Sequence, residues 1–281
     1  GFIGVEISDE LKKAGKEVVL VEKLPSILGL AFDEDVSVMV ENMLTDRGIE
    51  VMTGTTVKEV TGNAKAEGVI LENGDVIEAE AVILSLGYKP NTELAKKAKL
   101  PMSNQGFIKV DEYMRTEDPS IFAIGDCAEK RDFFTRKPSP IMLASTACAE
   151  ARIAGMNLFK LSAIKTFGGT ISIFATAIGD TGFGVAGLTE TIAKREGFDF
   201  VTGIFEGIDR HPGAFSDTHK QFVKLIVSKE SGVILGGEVT GGLSVGELIN
   251  TIGIIIENRM TINALLTAQI GTHPLLTASP A

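Results

Sequence analysis

The chain has 281 residues, 44% hydrophobic and 23% charged, enough for two or three globular domains with a substantial core. A net charge of −10, from 27 Lys+Arg against 37 Asp+Glu, disfavours nucleic-acid backbones and anionic membrane surfaces as partners. No apolar run is long enough to span a bilayer. Only Cys127 and Cys148 are present, with no C-x-x-C pair, so a secreted disulfide scaffold is excluded and a reducing, cytoplasmic setting is expected.

Gly1-Phe2-Ile3-Gly4 has the spacing of the last two glycines of a G-x-G-x-x-G dinucleotide turn, with the first glycine and its strand expected upstream. Gly1 would let the backbone approach a pyrophosphate, and Gly4 would let the following helix pack close to its strand. That helix carries Val5, Ile7 and Leu11 and stops at Gly15. Val18-Val19-Leu20-Val21-Glu22 reads as a buried strand ending in an acid. Glu22, 18 residues after Gly4, stands where a carboxylate would hold the adenosine ribose, although a solvated strand-end acid has the same sequence appearance. Such a carboxylate would repel a 2′-phosphate, which points to NAD rather than NADP.

A helix is predicted from Asp33 to Arg47, stopped by Gly48, and then a parallel strand over 49–52. Three extended segments follow at 56–60, 68–71 and 76–79, the last two joined by the hairpin signal Asn73-Gly74. Ala81 to Ser85 reads as a continuous, doubly covered strand, and Thr92 as the cap of a short helix. Strands are expected at 107–110 and 121–124, and a long helix from Pro140 to Leu161. From Lys165 the pattern changes to period two, with a strand over 170–177 and a hairpin of 221–227 with 233–239. Ser244 and Glu247 have capping-box spacing before an almost wholly apolar helix, whose cover is expected to be a subunit contact.

The segment Thr116-Glu117-Asp118-Pro119-Ser120-Ile121-Phe122-Ala123-Ile124-Gly125-Asp126 resembles the second flavin fingerprint of the pyridine nucleotide-disulfide oxidoreductase family. With Gly1, Gly4, Glu22 and the joint at Gly87-Tyr88-Lys89-Pro90, the order of motifs matches that family over essentially the whole chain. NADH oxidase and CoA-disulfide reductase members are the nearest in character. The resemblance implies an α/β fold: a Rossmann-like NAD domain lacking its first strand (1–104), the returning half of an FAD domain (105–163), and an α+β interface domain (164–281) that makes a homodimer.

It also implies site residues. Gly125 permits close approach, and Asp126 would accept hydrogen bonds from the ribityl chain of FAD. Leu143 and Ala144 would begin a helix whose N-terminus faces the flavin pyrimidine edge. Glu6 matches a family glutamate directed toward the nicotinamide, with a solvated helix acid as the alternative. His273 resembles an acid-base contributed by the partner subunit, but Ala278 stands where disulfide reductases place the orienting glutamate. His211 and His219 read as surface residues, and three scattered histidines suggest no metal site. Cys127 and Cys148 read as buried small residues rather than nucleophiles.

The implied function is FAD-dependent NADH oxidation, with hydride passing to flavin and then to oxygen or a disulfide-type acceptor. The chain alone is expected to be inactive and to bind NAD weakly. Electron transfer of the rubredoxin or ferredoxin reductase type, or a non-catalytic dimerising module, are the alternatives.

Overall fold

In the first helix, α1 (Phe2–Lys13), Gly4, Val5, Ser8 and Asp9 recur at helical spacing and are buried. It is followed by β1 (Val19–Val21), α2 (Glu34–Asp46) and β2 (Glu50–Met52), with β1 and β2 parallel and in register Leu20 to Val51. The computed structural model describes residues 1–162, 165–210, 216, 218–273 and 277. Two compact units result: residues 1–87 together with 173–281, and residues 88–172. Among the described residues no helix is long and apolar enough to cross a membrane.

In the first unit, β3 (Val57–Thr61), β4 (Gly68–Leu71) and β5 (Val76–Glu78) form the expected antiparallel meander. Residues 81–85 do not form the predicted strand. They have no regular structure, and Ile83 and Leu84 are exposed at 52% and 65%. Among the described residues β1 pairs only with β2, and no strand offers this segment a ladder. Without a partner to take its N–H and C=O groups, an apolar run gains little from being extended. Ser85 nevertheless lies beside α1: a Cβ on Gly4 would sit 3.5 Å from the Ser85 Cβ and 3.6 Å from Leu20 Cδ1. Both are ordinary van der Waals distances, so close packing by itself does not demand glycine at position 4.

The second unit holds α3 (Glu93–Lys97), the two-residue strands β6 (Lys130–Arg131) and β7 (Pro138–Ser139), and α4 (Ala144–Asn157). The strands expected at 107–110 and 121–124 are reduced to isolated bridges, Ile108 with Met102 and Ala128, and Phe122 with Arg115. The helix expected from Pro140 to Leu161 is trimmed at both ends to residues 144–157. Ala95, Ile108, Ala123 and Ala128 form a small core. Thr92 precedes α3, but its hydroxyl donates to Gly106 O (3.1 Å) instead of capping the helix.

Returning to the first unit, β8 (Phe174–Ile178), β9 (Thr181–Gly187), α5 (Glu190–Arg195), β10 (Phe200–Ile208), β11 (Lys220–Ser228) and β12 (Ile234–Gly241) follow. They make an antiparallel sheet in the order β10-β11-β12-β9-β8, carrying α6 (Val245–Glu257) and then α7 (Ile262–Leu266). The predicted 221–239 hairpin is present as β11-β12, with a bulge at Ile226/Val227. The apolar helix α6 is covered by the chain's own sheet rather than by a subunit contact alone. Val245, Ile249 and Ile252 meet glycines: a Cβ on Gly184 would lie 2.9 Å from the Ile249 Cβ, and one on Gly182 3.0 Å from the Val245 Cβ. Bare backbone at those positions sets how closely helix and sheet approach. The capping box does not form, since Ser244 is itself in helical conformation and its side chain caps nothing.

One core joins the first residues to this sheet. Val5, Phe32, Val36, Val40 and Leu44 pack with Ile178, Phe183, Val185 and Phe222, and Phe2 stacks on Phe174 at 5.1 Å.

Candidate functional site

At the carboxyl end of β1 the chain turns at Glu22, whose backbone N–H continues the parallel ladder by donating to Met52 O (2.9 Å). Its side chain is largely buried. Oε1 accepts from Leu24 N (3.0 Å), and Oε2 lies 3.3 Å from the Gly1 amino group. Gly1 is the N-cap of α1, which has no side-chain cap and no acid in its first turn. An uncapped helix N-terminus beside the carboxyl end of a parallel strand suits an anion. Glu6 is exposed, and its Oε1 accepts from Thr176 Oγ1 of β8 (2.9 Å), so this acid is tied to the antiparallel sheet.

The second group of predicted residues lies in residues 88–172. Gly125, Asp126 and Cys127 form a single 3₁₀ turn rather than the end of a strand. Gly125 is buried with φ +70°, and a Cβ there would meet the Ala147 Cβ at 3.4 Å, so the turn is pressed onto α4. Asp126 is exposed, and among the described residues nothing donates to its carboxylate. Leu143 is the N-cap of α4 and supplies no side-chain acceptor, which leaves the first N–H groups of the helix, from Ala144 on, for another partner. A turn with a small residue, an available carboxylate and an uncapped 14-residue helix fits a ligand rich in hydroxyls and carrying partial negative charge.

Gly125 is held by groups the sequence reading did not single out. Its N–H donates to Glu150 Oε2 (2.6 Å) and its carbonyl accepts from Lys130 Nζ (2.8 Å), which also donates to Ala128 O (3.0 Å). Both side chains are fully buried. Burial pushes the Glu150 carboxyl above its usual range, against the pull of Lys130 and the Gly125 N–H, and the Asp126 charge adds to the rise. A signal was present: Thr146, Glu150, Ile153 and Asn157 share one face of α4, so Glu150 is an acid on a buried stripe.

The remaining predictions divide. Gly87 is exposed with φ +91° and no neighbour crowding a Cβ. His273 is exposed, and its backbone N–H donates to Thr277 Oγ1 (3.0 Å); Ala278 and His211 lie outside the described residues. His219 is not a free surface residue. Its backbone N–H and Nδ1 lie 2.8 and 3.2 Å from the carboxylate of buried Asp209. Cys127 is half-buried with Sγ 3.3 Å from Ile124 O, whereas Cys148 is exposed, contrary to expectation, because it lies off the buried face of α4.

A second buried charge cluster, also missed, lies in the first unit. Lys224 of β11 stands directly opposite Glu238 of β12 and is 2.6 Å from it, 3.0 Å from Asp33 and 2.9 Å from Asp35. Asp33 precedes α2, yet its carboxylate accepts from the N–H groups of Glu190 and Thr191 and so caps α5. Burial would raise its pKa, but Thr191, Glu190 and Lys224 outweigh that and hold it at about 2. For Glu238 burial prevails over Lys224 and lifts the carboxyl to about 7. Asp33, Asp35 and Glu238 could group around a cation, but the Lys224 ammonium already stands among them.

Family models for pyridine nucleotide-disulphide oxidoreductase and its dimerisation domain match residues 1–151 and 173–280. The chain belongs to the pyridine nucleotide-disulphide oxidoreductase family. It is 31% identical over 278 residues to an NADH oxidase of Enterococcus faecalis, covering 98% of this chain and 61% of the relative. Among solved structures it resembles a NAD-dependent persulfide reductase from A. fulgidus, with TM-score 0.89 and 32% identity over 98% of this chain and 50% of that one. A water-forming NADH oxidase from Lactobacillus brevis bound to NADH gives TM-score 0.88 and 29% identity, over 100% of this chain and 61% of that one. The chain thus spans half to three-fifths of the length of these relatives.

Proposed function

We propose that this chain is the NAD-binding, flavin-contacting and dimerising portion of an FAD-dependent NADH oxidoreductase of the NADH oxidase or CoA-persulfide reductase type. The observation that carries the reading is the Gly125–Cys127 turn, which presents an available Asp126 carboxylate beside the uncapped start of α4. Asp126 would accept from the ribityl hydroxyls of FAD, and the first N–H groups of α4, near Leu143 and Ala144, would face the pyrimidine edge of the ring. When bound, the flavin would supply the electron chemistry that links NADH to oxygen or a disulfide-type acceptor.

The chain's own residues bind and orient. Gly1 and Gly4 admit the pyrophosphate at the start of α1, and Glu22 holds the adenosine ribose and disfavours a 2′-phosphate. Glu6, exposed on α1, would face the nicotinamide end of such a ligand, as the family glutamate it matches does. His273, from the partner subunit, would exchange a proton with the acceptor. Homodimerisation through residues 164–281 is supported by edge strand β10, which exposes Val201, Ile204, Phe205 and Ile208.

The test is cofactor binding. The protein carrying this chain should hold FAD, and Asp126→Ala should weaken flavin binding about ten- to a hundredfold, as expected for losing a hydrogen-bonded charged acceptor. Wild-type protein that neither takes up FAD nor oxidises NADH would refute the reading. Residues 1–281 alone are expected not to turn over, and brisk NADH oxidation by them would show that the remaining length of the relatives is dispensable.

A further inference from the structure

Among the described residues of 88–172, only Gly125, immediately before Asp126, has both its N–H and its C=O taken by buried, oppositely charged side chains. Glu150 takes the Gly125 N–H at 2.6 Å, and Lys130 takes the Gly125 carbonyl at 2.8 Å. Lys130 also binds the Ala128 carbonyl, so it spans the turn from the residue before Asp126 to the second residue after it. The two charges lie 3.9 Å apart at their nearest atoms, and Glu150 Oε1 accepts no hydrogen bond. They are therefore a poor pair for each other and good partners for the backbone. Burying two charges is costly, and a neutral side chain could close a 3₁₀ turn at far smaller cost.

What this arrangement adds is direction. The Gly125 φ of +70°, the Ala147 methyl 3.4 Å from where a Cβ would stand, and the two charge-assisted bonds leave the turn little freedom. Asp126 has no hydrogen-bond partner among the described residues, so what is fixed of its direction, the Cα–Cβ bond, is fixed by this backbone. Preorganisation of that kind strengthens binding by removing an ordering cost, without touching the ligand.

We infer that Glu150 and Lys130 are positioning residues for flavin binding, acting through the N–H and C=O of Gly125 to aim Asp126. This rests on the proposal that Asp126 meets the flavin, and it adds two residues that do not touch it. Glu150→Leu removes the acceptor of the Gly125 N–H, whereas Glu150→Gln keeps an amide oxygen in the same place. Lys130→Met removes the donor on the other side.

The experiment measures FAD affinity by flavin fluorescence, together with the visible absorption bands of the bound flavin, for all three variants of the flavin-loaded protein. Melting of the apoproteins is followed in parallel. Glu150→Leu and Lys130→Met should weaken FAD about ten- to a hundredfold and shift the flavin bands, and Glu150→Gln should restore affinity to within about threefold. Glu150→Leu binding FAD like wild type would overturn the inference. So would losses in Glu150→Leu and Glu150→Gln that match each other and track apoprotein melting, because that pattern means stability alone. Wild-type protein that binds no FAD would instead bring down the functional reading beneath it, and the two failures are distinguishable.

Discussion

Lys224 and Lys130 are both buried lysines with carboxylate neighbours, and they use their donors in opposite ways. Lys224 gives them to side chains: Glu238, Asp33 and Asp35, which come from β12 and from the start of α2. Lys130 gives them to the carbonyls of Gly125 and Ala128, the two ends of a four-residue segment. The first arrangement joins segments some 190 residues apart in sequence, as Lys224 and Asp35 illustrate. The second fixes the local direction of one backbone turn. A buried charge that satisfies other charges ties the fold together, while one that satisfies backbone shapes a site.

This contrast can be broken most directly at Lys224. Lys224→Met leaves Asp33, Asp35 and Glu238 without their cation and should cost about 3–5 kcal/mol, read from urea unfolding. Adding Glu238→Leu should recover part of that loss, since an apolar pair replaces an uncompensated charge. A harmless Lys224→Met would erase the distinction. Lys130→Met should cost less, about 1–3 kcal/mol, because two carbonyls lose a donor while Glu150 can take up a proton; its main effect should appear in flavin affinity.

The pH dependence sharpens the same comparison. Glu238 has a folded pKa of about 7 against 4.5 for the unfolded chain. Its contribution is therefore fully present below about pH 4.5 and is lost as pH rises toward 7. Asp33 runs the other way: with a folded pKa of about 2 against 3.8, its contribution is present above pH 3.8 and lost as pH falls through 2. Melting temperatures of Glu238→Gln should accordingly fall less than wild type between pH 4.5 and 7. An unchanged slope would mean that Glu238 is ionised throughout. The smallest effect is expected at Cys127, where Cys127→Ser should shift stability by no more than about 0.5 kcal/mol, read from urea unfolding.

The candidate residues could be singled out from the sequence because the features that mark them are local. Gly1, Gly4, Glu22, Gly125 and Asp126 are singled out by what a turn or strand end requires; Gly1 and Gly4 stand at a helix start and Glu22 after a strand, whereas Gly125 and Asp126 stand on a 3₁₀ turn instead of a strand end. Residues 81–85 were misread because strand formation needs a partner, which a hydrophobic run alone does not supply. The same lack of pairing reduces 121–124 to a single bridge and leaves Asp126 on a 3₁₀ turn.

The charge clusters mark the limit more clearly. Lys224 shares the buried face of β11 with Phe222 and Ile226, and Glu150 sits on the buried stripe of α4, so the sequence could show that each charge is buried. It could not show the partner. Periodicity, glycine spacing and turn chemistry arise within a few residues, and those the chain determined by itself. Which carboxylate meets Lys224, and that Glu150 holds the N–H of Gly125, depend on packing between distant segments, because a buried charge persists only where the assembled fold supplies its counterpart.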